Sequence, residues 1–82
     1  MIQTIRDANQ KVVGLKQTLR AIQQNKVKEV YFAADIEAHI FRKIADTCRE
    51  KGINLIPAEV SQKELGRFCQ IEVGAAVIGL IE

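Results

Sequence analysis

Leu15, Thr18, Leu19 and Ile22 recur at intervals of three and four, the spacing that gathers apolar groups on one stripe of a helix. A helix is therefore predicted from just after Gly14 to about Gln24. Before it, Lys11 to Val13 has the length of a brief edge strand, and Ile2 to Asn9 carries a weaker helical pattern. The period then changes. Val27 to Ala34 contains Val30, Tyr31, Phe32, Ala33 and Ala34 without a polar interruption, which predicts a strand covered on both faces, as in a parallel sheet.

Asp35 follows as the expected N-cap of a helix from Ile36 to Lys51 that turns Ile36, Ile40, Phe41, Ile44 and Cys48 to one side. Arg49 and Lys51 suit the carboxyl end of its dipole, and Gly52 suits its C-cap. Ile53 to Ile56 is a second short strand, so strand, helix and strand make a βαβ unit with an expected right-handed crossover. Ser61 and Glu64 have capping-box spacing, with Val60 and Leu65 at the staple positions, and predict a short helix to about Cys69. Ala75 to Ile81, small at first and β-branched later, predicts a last strand packed centrally between helices. The order of elements predicts an α/β fold, a three-layer α/β/α sandwich around a small mixed sheet.

At 82 residues, 48% of them hydrophobic, the chain reads as a single domain spanning 1–82. A chain of this size buries only about 60 to 65% of its unfolded surface, which leaves little room for a large catalytic architecture. The longest apolar run, Ala75 to Ile81, is far shorter than the ~18 residues a membrane span needs, and polar Gln3, Thr4, Arg6 and Asp7 occupy the place of a signal core. A cytoplasmic protein is expected. Cys48 and Cys69 form no CxxC pair and lie within apolar patterns, so both are expected reduced and buried.

The net charge of +2 hides an asymmetry. Between Lys11 and Lys28 stand five bases and no acid, whereas residues 29–82 hold six bases against nine acids. The first third thus presents a local basic field suited to a polyanion. Enzymatic chemistry finds no comparable support. His39 is the sole histidine and has no cysteine within a turn. Asp46 and Glu50 alternate with Arg42, Lys43 and Arg49 like an ordinary ion-paired helix surface. No glycine-rich phosphate loop and no metal-ligand spacing occurs, so no enzyme, cofactor or metal is expected.

Two segments break the local economy. Lys16, Gln17 and Arg20 share an arc opposite the Leu15, Leu19 and Ile22 stripe, with Lys16 set against the helix dipole, a penalty that a phosphate partner would remove. Gln17 adds a donor and an acceptor able to read a base edge. A solvated helix face would show the same residues. The second segment is Gln70, Ile71, Glu72, Val73 and Gly74, where Ile71 and Val73 either begin the last strand and point inward or form a loop whose apolar tips meet an unstacked nucleotide.

These two segments resemble the kink-turn RNA-binding ribosomal protein superfamily of the L7Ae and L30e types, most closely its small bacterial branch. Family members carry Gly-x-Asn-Glu-x-x-Lys at the start of the second helix, matched here by Gly14, Leu15, Lys16, Gln17, Thr18, Leu19 and Arg20. They also carry Leu-Gly, a short spacer and Ile-Glu-Val-Ala-Ala, matched by Leu65, Gly66, Ile71, Glu72, Val73, Gly74, Ala75 and Ala76. The resemblance covers nearly the whole chain and implies the same α/β/α sandwich. It further implies that Gly14 allows close backbone approach, and that Lys16, Gln17 and Arg20 contact G·A base edges and phosphates. Ile71, Glu72, Val73 and Gly74 would shape a loop over a flipped-out nucleotide. Lys16 and Gln17 depart from the common Asn and Glu, exchanging an amide and a carboxylate for a cation and an amide. The expected partner is kink-turn RNA, in ribosomal RNA or a structured leader, bound by a monomer. Two other readings compete: a module of the same fold facing an acidic protein, and a small-ligand domain at the carboxyl ends of the parallel strands with Asp35 and Glu59 as polar candidates.

Overall fold

A computed structural model describes residues 10–81; the weak helix expected over Ile2 to Asn9 lies outside them. In chain order the elements are β1 (Lys11–Val13), α1 (Leu15–Gln23), β2 (Val27–Phe32), α2 (Ala38–Lys51), β3 (Asn54–Pro57), α3 (Gln62–Phe68) and β4 (Val77–Ile81). The strands form one sheet in the order β1-β4-β2-β3. β2 and β3 are parallel, as the βαβ pattern predicts, while β4 runs antiparallel to both β1 and β2 and makes the sheet mixed.

Alternation along the two central strands decides the layers, because successive side chains leave a strand on opposite faces. Val30 of β2 and Val77 of β4 join Ala21, Ile22, Ile44 and Cys48 in the cluster beneath α1 and α2. Their neighbours Tyr31 and Ile78 join Leu65 and Cys69 in the cluster beneath α3. The unbroken apolar run of β2 is thus a strand buried from both sides, and the three-layer α/β/α sandwich follows. The hydroxyl of Thr18, fully buried, finds no hydrogen-bond partner among the described residues. Its methyl packs toward β4, where a Cβ on Gly79 would stand 3.1 Å from it.

Most boundaries agree with the pattern. Gly52 closes α2 in the left-handed conformation with φ 68°. Ser61 Oγ accepts the Glu64 N–H at 3.2 Å, the first half of the expected capping box. Phe41 departs from the buried stripe of α2: it is 37% exposed, edge-on to Phe32 with ring centroids 5.0 Å apart.

The expected role of Asp35 is corrected. α2 starts at Ala38, with Glu37 at its N-cap and no side-chain cap, because Ala34 and Asp35 are spent on a turn in which the Ile36 N–H reaches the Ala33 carbonyl. Asp35 is left too far upstream to reach the first amides of α2. Its Oδ1 instead accepts the N–H of Gln62, 27 residues on, at 2.8 Å. Asp35 and Ser61 together satisfy two of the orphan donors of α3. The last strand also begins later than expected, at Val77, because the Ala75 N–H is drawn to the Gln62 carbonyl on α3 at 2.9 Å.

Candidate nucleic-acid interface

Gly14 links the first candidate segment to the sheet. Its N–H donates to the Val77 carbonyl at 2.8 Å, prolonging the β1–β4 pairing by one residue, and its own carbonyl accepts the Thr18 N–H to open α1. The backbone turns there with φ 104°, where glycine is favoured, and a Cβ would stand 2.7 Å from Gln17 Oε1. Among the described residues no side chain caps α1, and its first turn contains no acid. The amino end of the helix is therefore an open concentration of N–H donors and partial positive charge.

Thr18, Ala21 and Ile22 are buried, so the same helical geometry turns Lys16, Gln17 and Arg20 outward, where all three are exposed. Neither Lys16 nor Arg20 has an acidic partner among the described residues, in contrast to Arg49 and Arg67, each paired with an acid three residues earlier on its own helix. Gln17 and Arg20 also line a shallow groove with Val12, Ala21, Gln24, Lys26 and Ile81, in which Arg20 and Lys26 are the basic members.

The second segment is suspended from α3. Gln70, at φ 61°, takes the left-handed position after the helix; its N–H returns to the Arg67 carbonyl and the Ile71 N–H to the Gly66 carbonyl at 3.1 Å. This is the Schellman pattern, in which the residue after the left-handed turn packs back on the helix. Ile71 accordingly packs, half-buried, against the cluster containing Leu65. Two residues on, Val73 is 70% exposed. The two branched residues thus divide between the inward and outward alternatives, and Glu72, Val73 and Gly74 form the exposed crest. The crest is pressed against α3: a Cβ on Gly66 would stand 2.1 Å from the Val73 carbonyl oxygen, and one on Gly74 would stand 3.3 Å from atoms of Gln62.

Both segments reach the same end of the sheet. Gly14 is bonded to Val77, the crest runs into β4 at that residue, and the Ala33 N–H after β2 meets the Ala76 carbonyl at 2.9 Å. The competing ligand residues offer less. Glu59 (φ 65°) and Asp35 border this end, but Asp35 is committed to Gln62. His39 is exposed, 4.0 Å from Glu37. Among the described residues, no cluster of three metal-ligating side chains occurs, and no helix is long and apolar enough to cross a membrane. Sequence reasoning missed Asp35 and Gln62 as supports of the crest, and it held Gly66 only as part of a motif.

The model of the ribosomal protein L7Ae/L30e/S12e/Gadd45 family matches residues 1–82. An RNA-binding protein of Caldanaerobacter subterraneus subsp. tengcongensis is 52% identical over 66 residues, 80% of this chain and 79% of that protein. A protein with unknown function from Bacillus halodurans C has a similar solved structure, with a TM-score of 0.85 at 25% identity over 99% of this chain and 80% of that one. The 15.5kD RNA binding protein of Giardia lamblia shares the fold, with a TM-score of 0.83 at 22% identity over 99% of this chain and 68% of that one. The chain belongs to the ribosomal protein L7Ae/L30e/S12e/Gadd45 family.

Proposed function

We propose that this protein is a non-catalytic RNA-binding protein that recognises kink-turn RNA, an internal loop of tandem G·A pairs, within ribosomal RNA or a structured leader. The observation that carries the reading is the pairing of the amino end of α1, which has Lys16 in its first turn and Arg20 further along the same exposed face, neither with an acidic partner among the described residues, with an exposed, backbone-tethered crest at the same end of the sheet. Phosphates suit the helix end, and Gln17 and Arg20 have the donors to read base edges. The Val73 crest offers an apolar surface to a nucleotide that has left the stack. So few contacts suit the recognition of a bent shape rather than of a long sequence. The protein acts as a single domain and a monomer, in the cytoplasm.

A gel shift against a kink-turn and a straight duplex of matched length tests the reading. Tight binding at moderate salt to the kink-turn alone is expected. Equal binding to both leaves only a basic RNA binder, and binding to neither favours an acidic protein partner.

A further inference from the structure

We infer that Asp35 is a positioning residue for the RNA interface, holding the crest of residues 72–74 in place through Gln62; the inference rests on the reading of this crest as an RNA contact. Asp35 is an exposed carboxylate at the end of the sheet proposed to meet a polyanion. By charge alone it opposes binding there. Its hydrogen bonds give it a compensating role. Oδ1 accepts the Gln62 N–H at 2.8 Å, and the Asp35 carbonyl accepts from Gln62 Nε2 at 3.1 Å. The Gln62 carbonyl in turn accepts the Ala75 N–H at 2.9 Å, just beyond the crest.

The other side of the crest is tied by Ile71 to Gly66, so both of its ends hang on α3, a helix of seven residues. The amino end of that helix hangs on Asp35. The turn carrying Asp35 is itself fixed to the sheet by Ala33 to Ala76, and Ala34 donates to the Val60 carbonyl at 2.7 Å. Asp35 therefore sets the crest relative to the strand end at which Gly14 and the start of α1 are anchored. Without this tether the crest keeps its residues and loses its registry with Lys16, Gln17 and Arg20.

The sign of the effect separates this role from simple electrostatics. If Asp35 acts only as a charge, its removal raises RNA affinity; if it positions the crest, removal lowers it. The full chain is measured as Asp35→Ala, as Asp35→Asn, which keeps an acceptor oxygen, and as Gln62→Pro. The last removes the N–H that Asp35 accepts at a helix position where proline is tolerated, and it carries the test should Asp35→Ala fail to fold. Affinity for kink-turn RNA is read beside amide exchange at Ala75.

Asp35→Ala and Gln62→Pro are expected to lose about five-fold in affinity, the scale of a lost cap, with faster exchange at Ala75. Asp35→Asn should stay within about two-fold of the parent. Unchanged or raised affinity in Asp35→Ala, with Val73→Asp still weakening binding, overturns the positioning role and leaves the RNA reading intact. Loss in Asp35→Asn equal to that in Asp35→Ala also overturns it. If Val73→Asp and Arg20→Ala both bind like the parent, the RNA reading itself fails and takes this inference with it.

Discussion

The carbonyl oxygen of Val73 lies so close over Gly66 that a Cβ on Gly66 would stand 2.1 Å from it. Real atoms do not tolerate that approach, so any larger residue at 66 must lift the crest or shift α3. Gly66→Ala should destabilise the protein by about 1 to 3 kcal/mol through overpacking, although alanine is the better helix former by about 1 kcal/mol. Its kink-turn affinity should fall by at least the five-fold expected on cutting the Asp35 tether. Thermal melts and titrations check this; wild-type values in both would show that the crest has no fixed position.

Val73 and Ile71 should separate binding from stability. Because Val73 is 70% exposed, Val73→Asp should change stability by no more than about 0.5 kcal/mol while weakening RNA binding. Ile71 packs on the Leu65 cluster, so Ile71→Asp should cost about 2 kcal/mol or more as a charge forced against apolar atoms. Melting curves of the two variants distinguish the roles, and unfolding of Val73→Asp would place that side chain in the core.

Arg20 and Arg49 provide a matched comparison. Arg20 faces outward from α1 without an acidic partner among the described residues, while Arg49 is paired with Asp46 on α2. Arg20→Ala should cost about 1 to 3 kcal/mol of RNA affinity if it reads a base edge, and less with a shallower salt slope if it meets only phosphate. Arg49→Ala should bind within about two-fold of the parent. Equal losses would mean that binding is diffuse electrostatics.

The fold was legible where its signal is local. The Leu15 to Ile22 stripe, the unbroken Val30 to Ala34 run and the Ser61/Glu64 spacing each report on their own element, and α1, β2 and α3 appear close to where those patterns put them. Asp35 was misread because a sequence shows an acid beside the next helix and hides a backbone amide 27 residues away. The sequence leaves both the inward and the outward position of Ile71 open. Local alternation suits a strand, and only the left-handed Gln70, a conformation unusual for a residue with a side chain, converts it into a helix-capping turn. The arc of Lys16, Gln17 and Arg20 followed from helical spacing, whereas the crest was singled out by an awkward pattern and a resemblance. Its suspension from Gln62 and Gly66 is a tertiary fact.

Burial pushes both thiols, Cys48 and Cys69, above their ordinary range, with Lys11 acting in the opposite sense on Cys69. The unfolded thiols ionise near pH 8.5, before the folded ones. Their contribution to stability is therefore complete below about pH 8.5 and is lost as pH rises through the folded values. Tyr31, raised by burial with Glu29 beside it, extends the loss to still higher pH. Urea melts from pH 7 to 10 should show this decline, and native labelling by thiol reagents should be slow. Rapid native labelling of Cys69 with loss of RNA binding would contradict its structural role.

The most direct test of the account places fluorophores on the two arms of a kink-turn RNA at low magnesium and adds the protein. A protein that binds only the kinked form draws the population toward it, and ~10⁴-fold preference converts a 1:99 mixture to 99:1. The arms should approach one another, and replacing the tandem G·A pairs by Watson–Crick pairs should abolish both the approach and tight binding, leaving a salt-sensitive residue of non-specific affinity. Undiminished binding to the straightened RNA at moderate salt, with no approach of the arms in either molecule, would contradict it.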